Sequence, residues 1–252
     1  MFKGIIAIKP FVTMLKMVEA VHHTAVFKAT DNGLVCRIKN DNTMLDFVIP
    51  KETFIYYDCY DDGDDCRFEL KPAEVLRLLE YENAVNNIEL YTSHYDMTIN
   101  INYKVTDGTI DFSINGDVDA SDIEQIPDFT PVVKLLIKRE LLLKALETAG
   151  VYDRYFMLII NRDGIEFYQS SNIDDKQRVI KVFYRYGKNI SIKEFNCNKV
   201  INGHYDVLSL IPILKAVQDC YYVTLYIDKD SNLRLEFLLP FKCNANYYYL
   251  HT

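Results

Sequence analysis

The chain has 252 residues, of which 49% are hydrophobic, and its 36 acidic and 28 basic side chains give a formal net charge of −8. This hydrophobic content excludes a disordered chain, and the apolar runs are too short for a transmembrane helix. Because phosphate binding needs local positive charge, the acidic balance excludes a protein that coats nucleic acid with its whole surface, but not one that gathers basic residues on one face.

The first half of the chain alternates between strand-like and helix-like patterns. Pro10 suits a first helical turn, and apolar residues follow it at helical spacing. The D-N-G sequence at 31–33 is a tight-turn signal between two strand-like runs. In chain order the patterns predict a strand at 2–8, a helix at 10–22, strands at 25–38 and on to 60, a helix at 72–82, and strands at 86–105 and 108–115.

The second half repeats this order. The patterns predict a strand at 132–137, a helix at 138–152, strands at 154–170, 178–187 and 190–197, a helix at 205–219 and a hairpin at 221–240. The turn sequences DNGLVC (31–36) and RDGIEF (162–167) fall in equivalent places, as do NNIELY (86–91) and YYVTLY (221–226). A repeat of about 120 residues is of ordinary domain size, so the sequence predicts two copies of one fold.

The predicted fold class is α+β, because two amphipathic helices in each half can cover one face of an antiparallel sheet. The expected organisation is an N-terminal domain at 1–116, a connector at 117–131 and a C-terminal domain at 132–252. The connector carries five acidic residues, no Lys or Arg, and neither a helical nor a strand period. It is therefore predicted to be an extended strap between the two copies.

The polar faces of the four predicted helices contain many basic residues. Taken singly, each helix is better explained as an ordinary solvated face, since acidic residues near the helix ends dilute the positive charge. The pattern indicates a ligand only if all four faces lie on one surface. The basic residues concerned are Lys9, Lys16, Lys71, Arg77, Lys138, Arg139, Lys144 and Lys215.

No pattern for catalysis or metal binding stands out. The six cysteines form no CxxC pair, and reduced thiols are expected. Cys59 and Cys66 flank the acidic sequence YDDGDD, which is better explained as a solvated turn than as a cation site. A metal-dependent nuclease that uses Asp61 and Asp64 is the weak alternative. We therefore predict a protein that is not an enzyme, with no catalytic residues, no cofactor and no metal.

Several motifs resemble those of the proliferating cell nuclear antigen (PCNA) family of DNA sliding clamps, and the resemblance covers essentially the full chain. They are MFK with the helix KPFVTMLKMVEAV, the D-N-G-L turn, RFELKPAEVLRLLEYE before NNIELY, DIEQIPDF, RDGIEF and the terminal NYYYLHT. DIEQIPDF is similar to the family's interdomain connector, and NYYYLHT is similar to its terminal strand and tail. Each motif alone has low specificity, so the resemblance depends on their order and spacing.

This resemblance implies two tandem clamp domains and a trimeric ring around duplex DNA. It implies that the helices line the central hole, so the eight basic residues above are predicted to face DNA without reading its sequence. It also implies that strands 108–115 and 177–185 of neighbouring copies pair edge to edge, with ordinary internal strands as the alternative. The predicted interface residues are Thr109, Ile110, Phe112, Arg178, Ile180 and Val182.

The resemblance also implies a peptide-docking pocket, because the family's partners insert a short motif with aliphatic and aromatic anchors beneath the connector. Such anchors dominate peptide-binding energy. The implied partners are double-stranded DNA, a DNA polymerase, a clamp loader and a flap nuclease or ligase, with no membrane partner. The matching pocket residues here are Ile38, Met44, Ile123, Ile126, Leu233, Tyr249 and Leu250.

Three positions depart from the family pattern: the terminal His251-Thr252, Lys39 near an expected Met, and Pro212, which should kink the fourth helix or remove a hydrogen bond. These departures fit a divergent archaeal or viral clamp, or a subunit that functions only in a heterotrimer. A peptide-binding module that does not encircle DNA is the other alternative. With no export signal in the first residues, the expected location is intracellular, with DNA: the cytoplasm of an archaeal cell or infected host, or a eukaryotic nucleus.

Overall fold

The computed structural model describes residues 2–59, 66–80, 87–92, 97–105, 108–116, 124–173, 176–187, 192–197 and 200–251. The chain divides into two compact units. Unit 1 comprises Met1–Asn40, Met44–Ile126 and Leu239–Ala245, and unit 2 comprises Asp41–Thr43, Pro127–Leu238 and Asn246–Thr252. Within the described residues, no helix combines the length and the apolar character that a bilayer crossing needs.

Unit 1 contains two sheets and two α-helices in its described residues. Its elements are β1 (Phe2–Ala7), α1 (Ile8–Glu19), β2 (Ala25–Thr30), β3 (Gly33–Asn40), β4 (Thr43–Pro50), β5 (Phe54–Cys59), β6 (Cys66–Leu70), α2 (Pro72–Glu80), β7 (Asn87–Thr92), β8 (Met97–Val105) and β9 (Gly108–Gly116). One sheet has the strand order β5-β1-β7-β8-β9, and the other runs β4-β3-β2-β6. β1 is antiparallel to both β5 and β7, and its alternate residues Phe2, Gly4 and Ile6 point into the core.

Unit 2 is built in the same way. Its elements are β10 (Pro131–Lys138), α3 (Arg139–Ala149), β11 (Tyr155–Asn161), β12 (Gly164–Ile173), β13 (Lys176–Arg185), β14 (Ile192–Cys197), β15 (Ile201–Asp206), α4 (Val207–Ala216), β16 (Tyr222–Asp228), β17 (Leu233–Leu238) and β18 (Asn244–Tyr249). Its strands follow the orders β14-β10-β16-β17-β18 and β13-β12-β11-β15.

The two units share one topology. Over the described residues each runs strand, helix, five strands, helix, three strands, and the sheet orders match position for position. The predicted α+β class and the predicted repetition of one fold are therefore confirmed.

Glycines at equivalent turns show how closely the two units correspond. Gly33 opens β3 with a φ of +139°, and Gly164 opens β12 with a φ of +156°. A Cβ atom on Gly33 would lie 2.1 Å from the Ile49 carbonyl oxygen, and one on Gly164 would lie 2.1 Å from the Tyr184 carbonyl oxygen. Both turns therefore require glycine, because a backbone carbonyl oxygen of the neighbouring strand occupies the place where a Cβ atom would lie.

The helix boundaries differ from those predicted. α1 begins two residues earlier, at Ile8, and ends at Glu19 rather than residue 22. The end predicted for α3, at residue 152, was wrong because the Gly150 N–H caps the helix through the Leu146 carbonyl at 2.8 Å. α2 ends at Glu80, and residues 81–82 of its predicted range lie outside the described residues.

The fourth helix shows what sets such a boundary. It begins at Val207 rather than residue 205, because the Asp206 carboxylate accepts a hydrogen bond from the Leu208 N–H at 2.8 Å and caps the helix. It ends at Ala216, three residues before the predicted end. Pro212 lies inside α4, which continues past it for four residues. The proline removes one helical donor without ending the helix.

Helix pairs complete the core of each unit. α1 contacts α2 in unit 1, and α3 contacts α4 in unit 2. α1 buries Phe11, Met14, Leu15 and Val18, among other residues, on one face, while its polar residues remain accessible. Each unit therefore has a pair of adjacent amphipathic helices whose outer faces are not used by its own core.

Candidate functional site

The helix pair of unit 1 places basic side chains in solvent. Lys9 and Lys16 are exposed on α1, Lys71 is exposed directly before α2, and Arg77 is exposed on α2. The Lys71 ammonium lies 3.6 Å from the Glu74 carboxylate, and both side chains are well solvated. An exposed pair of this kind is weak, so the lysine remains available to another anion.

The helix pair of unit 2 has a similar distribution of charge. Lys144 is exposed on α3, and Lys215 of α4 reaches Glu147 of α3 at 2.9 Å. The Lys138 ammonium lies 5.2 Å from the centre of the Tyr221 ring, and a hydrogen bond to Tyr221 raises the pKa of this lysine. Both units therefore carry exposed cations on their helix pairs, partly offset by neighbouring carboxylates.

Arg139 differs from the other seven residues predicted to face DNA. Its side chain is only 12% exposed, and its guanidinium donates to the Leu214 carbonyl oxygen at 3.0 Å. This carbonyl belongs to the last turn of α4, where a cation also interacts favourably with the helix dipole. Arg139 therefore joins α3 to α4, and the structure does not bring its charge to the exposed surface.

β9 and β13 each lie at one end of a sheet in the described residues. On β13, Arg178 is exposed, and Ile180 and Val182 are half-buried. Val179 is 51% exposed, which is high for a valine in a strand. The other predicted interface residues, Thr109, Ile110 and Phe112, lie on β9, and their side chains are outside the described part of the structure.

The turn after α3 adds apolar surface beside β13 that the sequence analysis missed. Val151 and Tyr152 are 61% and 38% exposed, and the Arg178 guanidinium lies 5.5 Å from the Tyr152 ring centre. Gln169, which is buried, holds this turn by accepting from the Tyr152 N–H at 3.3 Å and donating to the Asp153 carbonyl at 2.7 Å. The sequence analysis placed Val151 and Tyr152 inside the predicted helix, whereas an apolar V-Y pair directly after Gly150 is the signal that could have indicated this surface.

The residues predicted for the peptide pocket fall in both units. In unit 1, Ile38 and Met44 are buried, and Ile126 is 43% exposed. In unit 2, Leu233 and Tyr249 are buried and Leu250 is half-buried. Ile123 lies outside the described residues. Among the described residues of this set, Ile126 is therefore the apolar side chain most available to a partner.

The end of the connector is held by an aromatic cluster in unit 2. The Arg234 guanidinium lies 4.2 Å from the Tyr226 ring centre and 5.1 Å from the Phe129 ring centre. Tyr248 meets Phe129 edge-on, with 6.1 Å between ring centres. Sequence patterns did not indicate this cluster, because its four members come from separate segments of the chain.

The C-terminal residues are anchored in unit 2. The Leu250 N–H donates to the Asn42 carbonyl at 2.7 Å, and the His251 N–H donates to the Asn232 side chain at 2.7 Å. The His251 ring packs against Tyr205 and Tyr249 at 5.2 Å and 5.6 Å. Burial lowers the pKa of His251, and the neighbouring His204 lowers it further. His251 is thus an ordered part of the unit, and its neutral form is favoured.

Cys220 and Cys243 are not activated nucleophiles. Burial raises the pKa of Cys220 and of Cys243 to about 11, so both are protonated thiols at neutral pH. No group of three or more potential metal ligands occurs within the described residues. The acidic sequence with Asp61 and Asp64 lies outside them.

Comparisons with known proteins give no match to a family model and no match to a curated protein sequence. Solved structures do match. The PCNA of Thermococcus kodakaraensis superposes with a TM-score of 0.81 at 15% identity, covering 99% of both chains. The PCNA of A. fulgidus, solved with the C-terminal region of FEN-1 bound, gives 0.80 at 14% identity, covering 99% of this chain and 98% of that one.

A eukaryotic structure matches equally well. The PCNA of Entamoeba histolytica gives a TM-score of 0.80 at 11% identity, again covering 99% of this chain and 98% of that one. Coverage of both units in every case means that the likeness concerns the whole tandem arrangement rather than one repeat. With its duplicated topology and paired helices, this chain has the fold of the PCNA sliding clamps.

Proposed function

We propose that the chain is a DNA sliding clamp, a protein without catalytic activity that acts wherever the cell's DNA is replicated or repaired. Three copies close into a ring around duplex DNA, and the ring tethers a DNA polymerase and other replication or repair enzymes. The observation that carries this proposal is the pair of unlike edges, β9 in unit 1 and β13 in unit 2. Joining unlike edges head to tail gives a ring when the rotation between copies closes.

Charge supports the pairing of these two edges. Residues 176–185 include four basic residues and no acidic one. β9 carries Asp111 and is flanked in the sequence by Asp107 and Asp117. Opposite charges on the two edges favour contact between β9 of one copy and β13 of the next, and disfavour β13 meeting β13. The apolar surface of Val151, Tyr152 and Val179 extends the same contact.

The exposed basic residues of the helix pairs, together with the half-buried Lys138 at the end of β10, support DNA binding. In a closed trimer, three copies would each present two such helix pairs, so a modest number of cations per chain is multiplied around the hole. Contacts to phosphates carry no sequence information, which permits movement along the duplex. We propose Lys9, Lys16, Lys71, Arg77, Lys138, Lys144 and Lys215 for this role, and leave out Arg139 because its guanidinium is bonded to α4.

The connector supports partner docking. The PCNA of A. fulgidus binds the C-terminal region of FEN-1, and a comparable peptide is proposed to bind here beside Ile126. The remaining predicted pocket residues, including Tyr249 and Leu250, would line the site. The double variant Ile126→Ala with Tyr249→Ala should abolish binding of a peptide that carries aliphatic and aromatic anchors, while the assembly keeps its mass.

Two measurements test the proposal. Light scattering over a concentration series should give three times the chain mass of 29.4 kDa. Linear duplex DNA whose ends are blocked after mixing should then retain the protein, and cutting the DNA between the blocks should release it. A monomer at every concentration would favour a heterotrimer subunit, and retention that survives cutting would contradict encirclement.

A further inference from the structure

The connector reaches β10 through Phe129, whose surroundings are unusual. The Arg234 guanidinium lies over two aromatic rings, 5.1 Å from the centre of Phe129 and 4.2 Å from the centre of Tyr226. Arg234 and Tyr226 are cross-strand partners on β17 and β16. Because the two residues lie directly opposite each other on neighbouring strands, the sheet holds the stacked pair in place. The Arg234 side chain that contacts Phe129 therefore has few alternative positions.

The other contacts of this cluster reduce that freedom further. The Tyr226 hydroxyl donates to the Glu236 carboxylate at 2.9 Å, which fixes the ring. Tyr248 is buried and contacts the edge of Phe129. Phe129 is therefore held by Arg234 on one side and by Tyr248 on another, both within unit 2.

In the described part of the chain, the Nε–H group of Arg234 lacks a hydrogen bond, which indicates that this side chain has a role other than hydrogen bonding through Nε. Its Nε atom is buried, and among the described residues it has no hydrogen-bond partner. Burying an N–H group without a hydrogen bond costs free energy. The contacts of the guanidinium with the two rings offset that cost. Any apolar side chain of similar length would avoid that cost but would lose the attraction between the cation and the two rings.

We infer that Arg234 is a positioning residue that holds Phe129 and thereby fixes the C-terminal end of the connector, and that this sets the affinity of the peptide site. The inference about affinity rests on the proposed function, whereas the anchoring of the connector does not. A connector that is already ordered in its binding conformation loses less entropy when a peptide docks. Anchoring the connector should therefore raise the affinity for the peptide.

The test combines hydrogen exchange with peptide binding. Between Pro127 and Pro131, the amides of Asp128, Phe129 and Thr130 report on the anchored segment. Three variants are compared with the unaltered protein: Arg234→Met, which keeps length but removes charge; Arg234→Lys, which keeps charge; and the control Arg162→Met, in the exposed β11–β12 turn. The probe is a labelled synthetic peptide with aliphatic and aromatic anchors on one helical turn.

We expect Arg234→Met to speed hydrogen exchange at these three amides about tenfold. It should also weaken peptide binding about three- to thirtyfold, which is the range expected for the loss of a cation–π contact. Arg234→Lys should restore part of both losses, and Arg162→Met should change neither. Exchange in β11 and β12 should remain unaltered, which a general loss of stability would not allow.

Several outcomes would overturn the inference. Unchanged exchange at 128–130 in Arg234→Met would show that the connector is held by other contacts. Faster exchange with unchanged peptide affinity would show that anchoring does not matter for docking. If the unaltered protein binds no peptide, the proposed docking function fails, and the exchange data alone decide whether Arg234 anchors the connector. Should Arg234→Met fold poorly, Phe129→Leu must produce the same local increase in exchange.

Discussion

β4 and β13 occupy the same position in the topology of their units, but their exposure is opposite. In β4, every residue from Thr43 to Phe47 is buried, and its one charged side chain, Asp46, is paired with Arg37 at 2.7 Å. In β13 no described residue is buried. Equivalent places in a duplicated fold thus do not have equivalent surroundings.

The sequences of these strands correspond to that difference. β4 reads TMLDFVIP, whereas β13 reads KQRVIKVFYR, which keeps its apolar residues but adds four cations. Charge of this kind keeps an uncovered edge strand from pairing indiscriminately. The exposed Val179 and Phe183 of this edge are the reason we propose that it pairs with a specific partner strand of opposite charge.

The sharpest test of the duplication concerns the two turn glycines. Gly33→Ala and Gly164→Ala should each destabilise the protein by about 3 kcal/mol or more, because the new Cβ would collide with a backbone oxygen in a strained φ region. Chemical denaturation measures the loss. Gly187→Ala is the control: its φ is +75°, but nothing lies within 4 Å of the added atom. Tolerance of alanine at only one of the two turns would break the proposed equivalence.

The contrast between β4 and β13 predicts where assembly can be disrupted. The double variant Val179→Asp with Phe183→Asp should raise the dissociation constant of the assembly by about a hundredfold, since it places unpaired carboxylates in a contact. Light scattering gives the mass at each concentration. Ile55→Asp on β5 is the control, because Ile55 is also exposed, at 64%, but lies on an edge that we do not assign to the interface. An unchanged mass for the double variant would remove β13 from the interface.

Helix initiation differs between the units, and the difference is measurable. The buried Asp206 side chain caps α4 and also accepts from Arg154 Nε at 2.7 Å. Its replacement by alanine should cost about 2 kcal/mol. α2 instead begins with Pro72, which suits a first helical turn without a capping side chain. Lys71→Ala, directly before it, should change the unfolding free energy by less than about 0.5 kcal/mol; a loss equal to that of Asp206→Ala would contradict this account.

If the two helix pairs bind DNA alike, reversing one charge in each should have similar effects. Lys16→Glu and Lys144→Glu should each shorten the lifetime on end-blocked DNA about threefold, and together about tenfold, with a shallower dependence on salt. Lys51→Glu, on an exposed turn outside the helices, should have no effect. A loss confined to one unit would show that the units do not contribute equally.

The smallest expected effect concerns the tail of unit 2. Because burial and His204 lower the pKa of His251 below its ordinary 6.5, the folded protein favours the neutral ring. That contribution to stability is complete above pH 6.5 and is lost as the pH falls through the lower folded pKa. His251→Gln should therefore reduce the fall in melting temperature between pH 7.5 and 5 by no more than about 2 °C. The nearby Asp228 raises the pKa of His251 and so opposes this shift. If His251→Gln left the pH dependence of the melting temperature unchanged, Asp228 would cancel the effect of burial and of His204.

The order of strands and helices was predictable because it depends on local signals. Apolar periodicity marks each element, and the glycines of D-N-G and R-D-G mark turns that need a positive φ. The ends of the helices were less predictable, because they depend on tertiary contacts. Gly150, for example, packs against Val207, whose methyl group lies 2.9 Å from the position of an added Cβ.

The candidate sites show the same division. Helix phase correctly indicates that Lys16 and Lys144 are exposed, but it says nothing of how far a long side chain reaches. Arg139 extends to the Leu214 carbonyl of α4, a neighbour that the sequence does not identify. The stack of Phe129 on Arg234 likewise depends on which strands lie beside the connector. The assignments to DNA, to subunit contacts and to the peptide remain predictions.

The unlike edges would give the proposed ring a polarity. Copies joined β9 to β13 all point the same way around the ring, so no twofold axis can exchange its two faces. Ile126 and its neighbours would then lie on a single face in every copy. A ring threaded onto a duplex would present all of its docking sites toward the same end of a given strand, and an enzyme held there would meet the DNA in one orientation.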